Sequence, residues 1–255
     1  MKISIVIPCY NEEEGLRHLA DNLFPVLDQL SKDYDWELIF VDDGSKDNTY
    51  QLLQEIFVTK FSAPHPAQHL PPHPAQIIRH EKNMNLGAAL RTGFAAAQGD
   101  IIVTMDSDCT YEPKGIFDLL KLMDEETAIV TASPYHPLGG VNNVPKYRLA
   151  LSKAVTAIDR LLTGSKIYTF TALFRAQRKD VVKNIPFRSN DFLSTAEFLI
   201  FAMMKGYQVK EYPTVLNVRV FGTSKMKLLR VIKSHTAFAL RVAKHRLKGD
   251  FSGKK

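Results

Sequence analysis

The apolar positions in the first half of the chain follow two alternating periods. Ile3–Ile7, Trp36–Val41, Gln76–Arg79, Asp100–Met105 and Ala128–Ala132 read as strands, most of them continuously apolar and rich in β-branched residues, as strands buried on both faces are. Between the first two, Glu12–Leu30 places Leu16, Leu19, Leu23, Val26, Leu27 and Leu30 at helical spacing, and Pro25 predicts a break or kink inside it. Asp47–Phe57, with Asp47 or Asn48 as cap, Leu86–Gln98 and Pro113–Met123 are the other predicted helices. Strands alternating with helices imply a mostly parallel sheet with right-handed crossovers, an α/β fold with helices flanking the sheet.

The second half is less regular. Lys146–Leu162 reads as a helix, Ile167–Phe174 as a strand, Asp191–Lys205 as a helix closed by Gly206, and Gln208–Val220 as extended. Lys225–Lys248 reads as a long amphipathic helix, with Leu228, Leu229, Ile232, Phe238, Leu240 and Val242 set among lysines and arginines. Residues 63–76 interrupt the strand–helix alternation. They repeat His-Pro-Ala-Gln at His65–Gln68 and His73–Gln76. The spacing matches no compact ligand set, so a Pro-rich insertion is expected there rather than a metal tract. The division is a domain over 1–224, with the insertion inside it, and a basic tail over 225–255.

The 255 residues are 45% hydrophobic and 24% charged, enough for one substantial core. No run approaches the roughly 20 apolar residues of a membrane span, and Met1-Lys2 leads straight into a strand without a leader pattern. Cys9 and Cys109 are too few for a disulfide framework, so a reduced, cytoplasmic setting is expected. The net charge of +6 is uneven. Residues 225–255 hold ten Lys/Arg and one acid, while the preceding 224 residues are net negative. A basic amphipathic helix fits an anionic membrane surface or a core-docked helix with a solvated basic face. No nucleic-acid recognition motif accompanies the charge.

Acids cluster where strands end. Asp106-Ser107-Asp108 follows an apolar strand directly, Asp42-Asp43-Gly44-Ser45 follows the second, and Pro8-Cys9-Tyr10-Asn11-Glu12 the first. Each alone could be turn or cap chemistry. Three on one edge of a parallel sheet point instead to the crevice where open α/β sheets bind ligands. Hard oxygen donors there suit Mg²⁺ or Mn²⁺ bridged to phosphates. An acid at Asp42–Asp43 could hold a ribose hydroxyl or a uracil or guanine edge, and Tyr10 could stack a base.

Together with Asn85-Leu86-Gly87, Arg91 and Gly93, these motifs resemble glycosyltransferase family 2 over Ser4 to Asp108. The resemblance implies a GT-A fold, a nucleotide-sugar donor (UDP- or GDP-hexose), a divalent metal and inverting transfer. Arg148–Ser152, Phe174-Arg175 with Arg178, and Arg219–Lys225 resemble the polyprenyl-phosphate sugar synthases of dolichol-phosphate mannosyltransferase type. That match implies Asp106 and Asp108 at the metal and pyrophosphate, with Pro8, Tyr10, Glu12, Asp42, Asp43, Arg91 and Ser107 around the nucleotide. It further implies Arg148, Ser152, Arg219 and Lys225 at donor or acceptor phosphates, and a polyprenyl phosphate as acceptor. The chain departs from that subgroup at Ser133-Pro134-Tyr135, Thr110 and Thr169–Ala172, which leaves sugar and acceptor open. A hydroxyl acceptor would instead require a base, for which Asp191 and Glu197 are the candidates. A non-catalytic nucleotide-sugar-binding subunit is the third reading. Processive polysaccharide synthases carry Gln-x-x-Arg-Trp, and the one tryptophan here, Trp36, sits on an early strand.

Overall fold

The computed structural model describes residues 1–59, 75–143, 146–219, 221, 234–240 and 242. Strands β1 (Lys2–Cys9), β2 (Asp35–Asp42), β3 (Ala75–Arg79) and β4 (Ile101–Thr104) are all parallel, in the spatial order β3-β2-β1-β4. Beyond β4 the sheet continues as β7 (Arg175–Arg178), β5 (Thr127–Ser133) and β8 (Gln208–Pro213). β7 runs antiparallel to both its neighbours and β5–β8 is parallel, so the seven-stranded sheet is mixed but mostly parallel. A two-stranded ribbon, β6 (Gly140–Val141) with β9 (Val215–Leu216), stands apart from it.

The alternation of side chains divides the core. Ile3, Ile5, Ile7, Trp36, Leu38 and Phe40 face α1 (Leu16–Leu30), whose leucines pack on them. Val6, Ile39, Val41 and Ile102 face the opposite layer, where Ala89 belongs to the helix Leu86–Ala96. The first helix runs through Pro25 without interruption, so of the break or kink expected from its sequence no break forms. Seven buried apolar residues dock this helix along its whole length, and tertiary packing of that extent outweighs one lost backbone bond. The next helix, α2 (Thr49–Leu53), passes into a π-helical turn over Gln54–Val58. Asp47 supplies the capping bond, its Oδ1 accepting from Thr49 N at 3.0 Å. Helices α3 (Leu86–Ala96), α4 (Gly115–Lys121), α5 (Lys146–Thr163), α6 (Lys179–Asn184) and α7 (Leu193–Met204) complete the described helical layers, together with the helical stretch 234–240. Gly206, at φ +86°, closes α7 as expected, with Tyr207 N bonding back to Ala202 O.

One predicted strand is absent. Residues 167–174 are mostly buried but irregular, and the strand is β7, which begins at Arg175. Polar side chains take the backbone groups that a ladder would use. Glu211 Oε1 accepts from Tyr168 N and Thr169 N at 2.8 and 3.1 Å, and Thr104 Oγ1 donates to Leu173 O. Apolar content alone could not reveal partners so distant in sequence. Most of the insertion 63–76, and the amphipathic helix 225–248 apart from 234–240 and 242, lie outside the described residues.

Candidate active site

The carboxyl ends of β1, β2 and β4 open into one cavity of about 540 Å³. Pro8, Cys9, Tyr10 and Glu12 enter it from β1, Asp43 from β2, and Asp106, Ser107 and Asp108 from beyond β4. Asn83, Asn85, Leu86 and Ala89 form a second wall; Leu173, Asp191, Phe192 and Arg219 complete the lining. The turns carry backbone conformations that ordinary residues avoid. Asn11, Asn85 and Cys109 have φ of 51°, 70° and 53°, and each adjoins a lining residue. Gly44, at φ +69°, lets the turn after β2 press on Lys82; an added Cβ would lie 2.4 Å from the Lys82 carbonyl carbon.

Asp106 and Asp108 line the cavity together, close enough for the charge of one to act on the other. Asp106 lies between bulk water and the core, and this desolvation, with the charge of Asp108 second, pushes its carboxyl up to about 8. Two crowded carboxylates lacking a full counter-charge fit a divalent cation. Among the described residues no group of three or more His, Cys, Asp or Glu could form a protein cage. Mg²⁺ and Mn²⁺ sites of this open kind draw their remaining oxygens from water and substrate phosphate. Asp106 and Asp108 are the residues that would hold the ion. Arg219 now partly fills that role: Nη2 lies 3.1 Å from Asp108 Oδ2 and 2.9 Å from Glu12 Oε2. It arrives on the segment after β9, where Asn217 N donates to Thr110 O at 2.9 Å, tying that segment to the Asp-Ser-Asp turn.

Burial pushes the Cys9 thiol up, and burial with Asp108 nearby pushes Cys109 up to about 12. Both therefore stay protonated near neutral pH, which removes thiolate chemistry from the site.

Nine of the residues predicted to serve the site meet in the cavity: Pro8, Tyr10, Glu12, Asp43, Asp106, Ser107, Asp108, Asp191 and Arg219. Others do not line it. Asp42 is fully buried behind Asp43, its Oδ1 accepting from Ser45 N at 3.0 Å and its Oδ2 lying 3.1 Å from Arg79. Arg91 turns to the loop before α7, donating to Ser189 O at 3.1 Å and to Asn190 Oδ1. Glu197 is buried on α7, its Oε2 accepting from Arg188 N and Ser189 N at 3.1 and 2.7 Å. Asp191 does line the cavity, but Oδ1 accepts from Leu193 N at 3.1 Å and Oδ2 from Ser234 Oγ at 2.6 Å. Ser152 is half-buried on α5; the side chain of Arg148 and all of Lys225 lie outside the described residues. Asn83, Leu173 and Phe192 were not singled out from the sequence. Asn83 sits in a polar loop without periodicity, and Leu173 and Phe192 read as core residues.

The sequence model of Glycosyl transferase family 2 matches residues 4–186. The chain belongs to glycosyl transferase family 2. That span contains all three acid-bearing strand ends. A dolichol-phosphate mannosyltransferase of Pyrococcus furiosus is 31% identical over 229 residues, which cover 89% of this chain and 60% of that protein. The chain thus spans well under the full length of that relative. A polyprenol monophosphomannose synthase of Mycolicibacterium smegmatis is 29% identical over 228 residues, covering 87% of this chain and 80% of its own. Among solved structures, glucosyl-3-phosphoglycerate synthase from Mycobacterium tuberculosis, crystallised with Mn²⁺, UDP and glucosyl-3-phosphoglycerate, superposes with a TM-score of 0.66 at 20% identity. The match covers 96% of this chain and 79% of that one. The fold of this family 2 protein is therefore the expected GT-A arrangement, a mostly parallel central sheet flanked by helices.

Proposed function

We propose that this family 2 protein transfers a hexose, with inversion, from a nucleotide-sugar donor to a polyprenyl phosphate. The observation that carries the reading is the meeting of Asp106, Asp108 and Arg219 in a single cavity at the sheet's carboxyl edge. Mg²⁺ or Mn²⁺, when bound to the two aspartates, supplies Lewis-acid stabilisation of the leaving diphosphate. Arg219 adds a guanidinium that can exchange carboxylate partners for phosphate oxygens as charge grows on the leaving group. Pro8, Tyr10, Glu12, Asp43 and Ser107 line the space for the nucleoside and ribose, where Tyr10 offers a ring for stacking.

The acceptor is argued from the bases. A sugar hydroxyl must lose its proton in the transition state, whereas a phosphate monoester is already an anion and needs no such help. Of the two candidate bases, Glu197 is committed to backbone amides outside the cavity lining, and both oxygens of Asp191 already accept hydrogen bonds. This supports the phosphate acceptor. So do the printed names of the Pyrococcus and Mycolicibacterium relatives, which refer to polyprenol-linked mannose transfer. Among the described residues no helix is long and apolar enough to cross a membrane. A peripheral contact through the basic tail is part of the proposal.

The test is transfer from UDP- and GDP-hexoses, with Mn²⁺, to a short polyprenyl phosphate or to free saccharides. Turnover with the lipid phosphate alone is expected. Turnover only with saccharides would overturn the acceptor, and nucleotide binding with no turnover on any acceptor would leave a binding subunit.

A further inference from the structure

His80, at the end of β3, is absent from every motif considered above, yet it grips a wall of the cavity. Its Nδ1 lies 2.7 Å from Asp43 Oδ1, and its Nε2 lies 2.9 Å from Thr92 Oγ1 on α3. Its backbone N–H donates to Asp42 O at 2.9 Å, so the ring is held from a strand on one side and a helix on the other. An ionised carboxylate only accepts hydrogen bonds, which puts a proton on Nδ1. Nε2 pairs with the Thr92 hydroxyl, so both ring nitrogens are held at once. Met84 N donates to the same Asp43 Oδ1 at 2.8 Å. That oxygen is filled. Among the described residues Asp43 Oδ2 makes no hydrogen bond, while Asp43 itself lines the cavity, as Tyr10 and Asn83 do.

We infer that His80 is a positioning residue for nucleobase recognition: with Thr92 behind it, it locks Asp43 so that a single acceptor oxygen faces the donor's base. The inference rests on the nucleotide-sugar reading and deepens it. A fixed carboxylate oxygen selects a base that presents a ring N–H. A base presenting a bare ring nitrogen there sets two lone pairs against each other and leaves the acid unpaired. Uracil and guanine carry such an N–H on their pairing edge; cytosine and adenine do not. A carboxylate free to rotate would instead turn toward a ribose hydroxyl as readily, and would discriminate little.

The experiment is calorimetric titration of UDP, GDP, CDP and ADP, each with Mn²⁺, into the full chain and its His80→Leu, His80→Asn and Thr92→Val variants. The unaltered chain should prefer UDP or GDP over both CDP and ADP. His80→Leu should weaken the preferred nucleotide by about tenfold and flatten the preference, because a hydrogen bond to a charged group is lost. His80→Asn should retain the preference, since its amide nitrogen replaces Nδ1, whereas a merely structural ring would not be rescued this way. With transfer measured over a range of donor concentrations, the loss should fall on KM and leave kcat nearly unchanged. Should His80→Leu not fold, Thr92→Val, nearly isosteric, carries the test through a smaller loss of the same selectivity. Unchanged selectivity in the variants overturns the inference, as does equal weakening of all four nucleotides. If the unaltered chain binds no nucleotide, the donor reading itself falls.

Discussion

The two walls of the cavity are held by different kinds of bond. The donor wall is made of strand ends: β1, β2 and β4 are parallel neighbours whose register fixes Pro8 beside Val41 and Cys9 beside Asp42. The sheet delivers its acids, and short-range partners such as His80 and Met84 N on Asp43 fix their orientation. The opposite wall comes from segments far apart in the chain, joined by side chains. Arg219 reaches Glu12 and Asp108, Ser234 reaches Asp191, and Arg91 reaches the loop at Ser189 and Asn190. Ladder hydrogen bonds make the first wall stiff; the second depends on individual contacts that a substrate can exchange. Under the proposed function, a rigid donor wall beside an adjustable one suits an enzyme that holds one substrate while admitting another.

Breaking the adjustable wall at its centre should have the largest effect. Arg219→Gln is expected to lower kcat roughly 100-fold, the usual cost of losing one transition-state cation, with a small change in nucleotide affinity. The same variant should bind Mn²⁺ more tightly in the absence of nucleotide, since the arginine no longer competes for Asp108. Electron paramagnetic resonance of free Mn²⁺ reads this directly, and unchanged binding would show that the ion pair does not guard the cation site.

Glu197→Gln sharpens the comparison differently. The carboxylate binds two backbone amides and lies outside the cavity lining, so its replacement should cost about 1–3 kcal/mol of stability and leave transfer per folded molecule close to normal. Chemical denaturation with parallel activity assays checks it. Activity abolished at full stability would restore Glu197 as a base.

The smallest effect concerns the acids of the donor wall in chelator. Asp106 is raised to about 8, so the folded protein binds its proton more tightly than the unfolded chain does. Stability contributed by that protonated form is present below the unfolded carboxyl range and falls as pH rises toward 8. Asp106→Asn should therefore be the more thermostable protein in chelator, by a margin that widens from pH 5 to pH 8. A constant margin in melting temperature would contradict the assignment.

The donor wall is also the part that the residues themselves disclosed. Continuous apolar runs ending in Asp106 and in Asp42-Asp43 marked both strand and site, because a parallel strand and its terminal loop are a local pattern. The other wall was opaque for a physical reason. Whether Glu197 serves chemistry or a backbone loop depends on amides at Arg188 and Ser189, and whether 167–174 pairs as a strand depends on Glu211, more than 35 residues away. His80 was missed likewise, since its meaning lies in Asp43 and Thr92, which three separate elements bring together. Pro25 misled in the opposite direction, its local rule overridden by the buried face of α1.

The central claim is that Asp106 and Asp108 join a divalent cation to the donor's diphosphate. Calorimetric titration of UDP and GDP with and without Mn²⁺, on the unaltered chain and on Asp108→Asn, measures that linkage. Mn²⁺ should tighten nucleotide binding at least about tenfold in the unaltered chain and not at all in the variant. Metal-dependent tightening that survives Asp108→Asn would contradict the account.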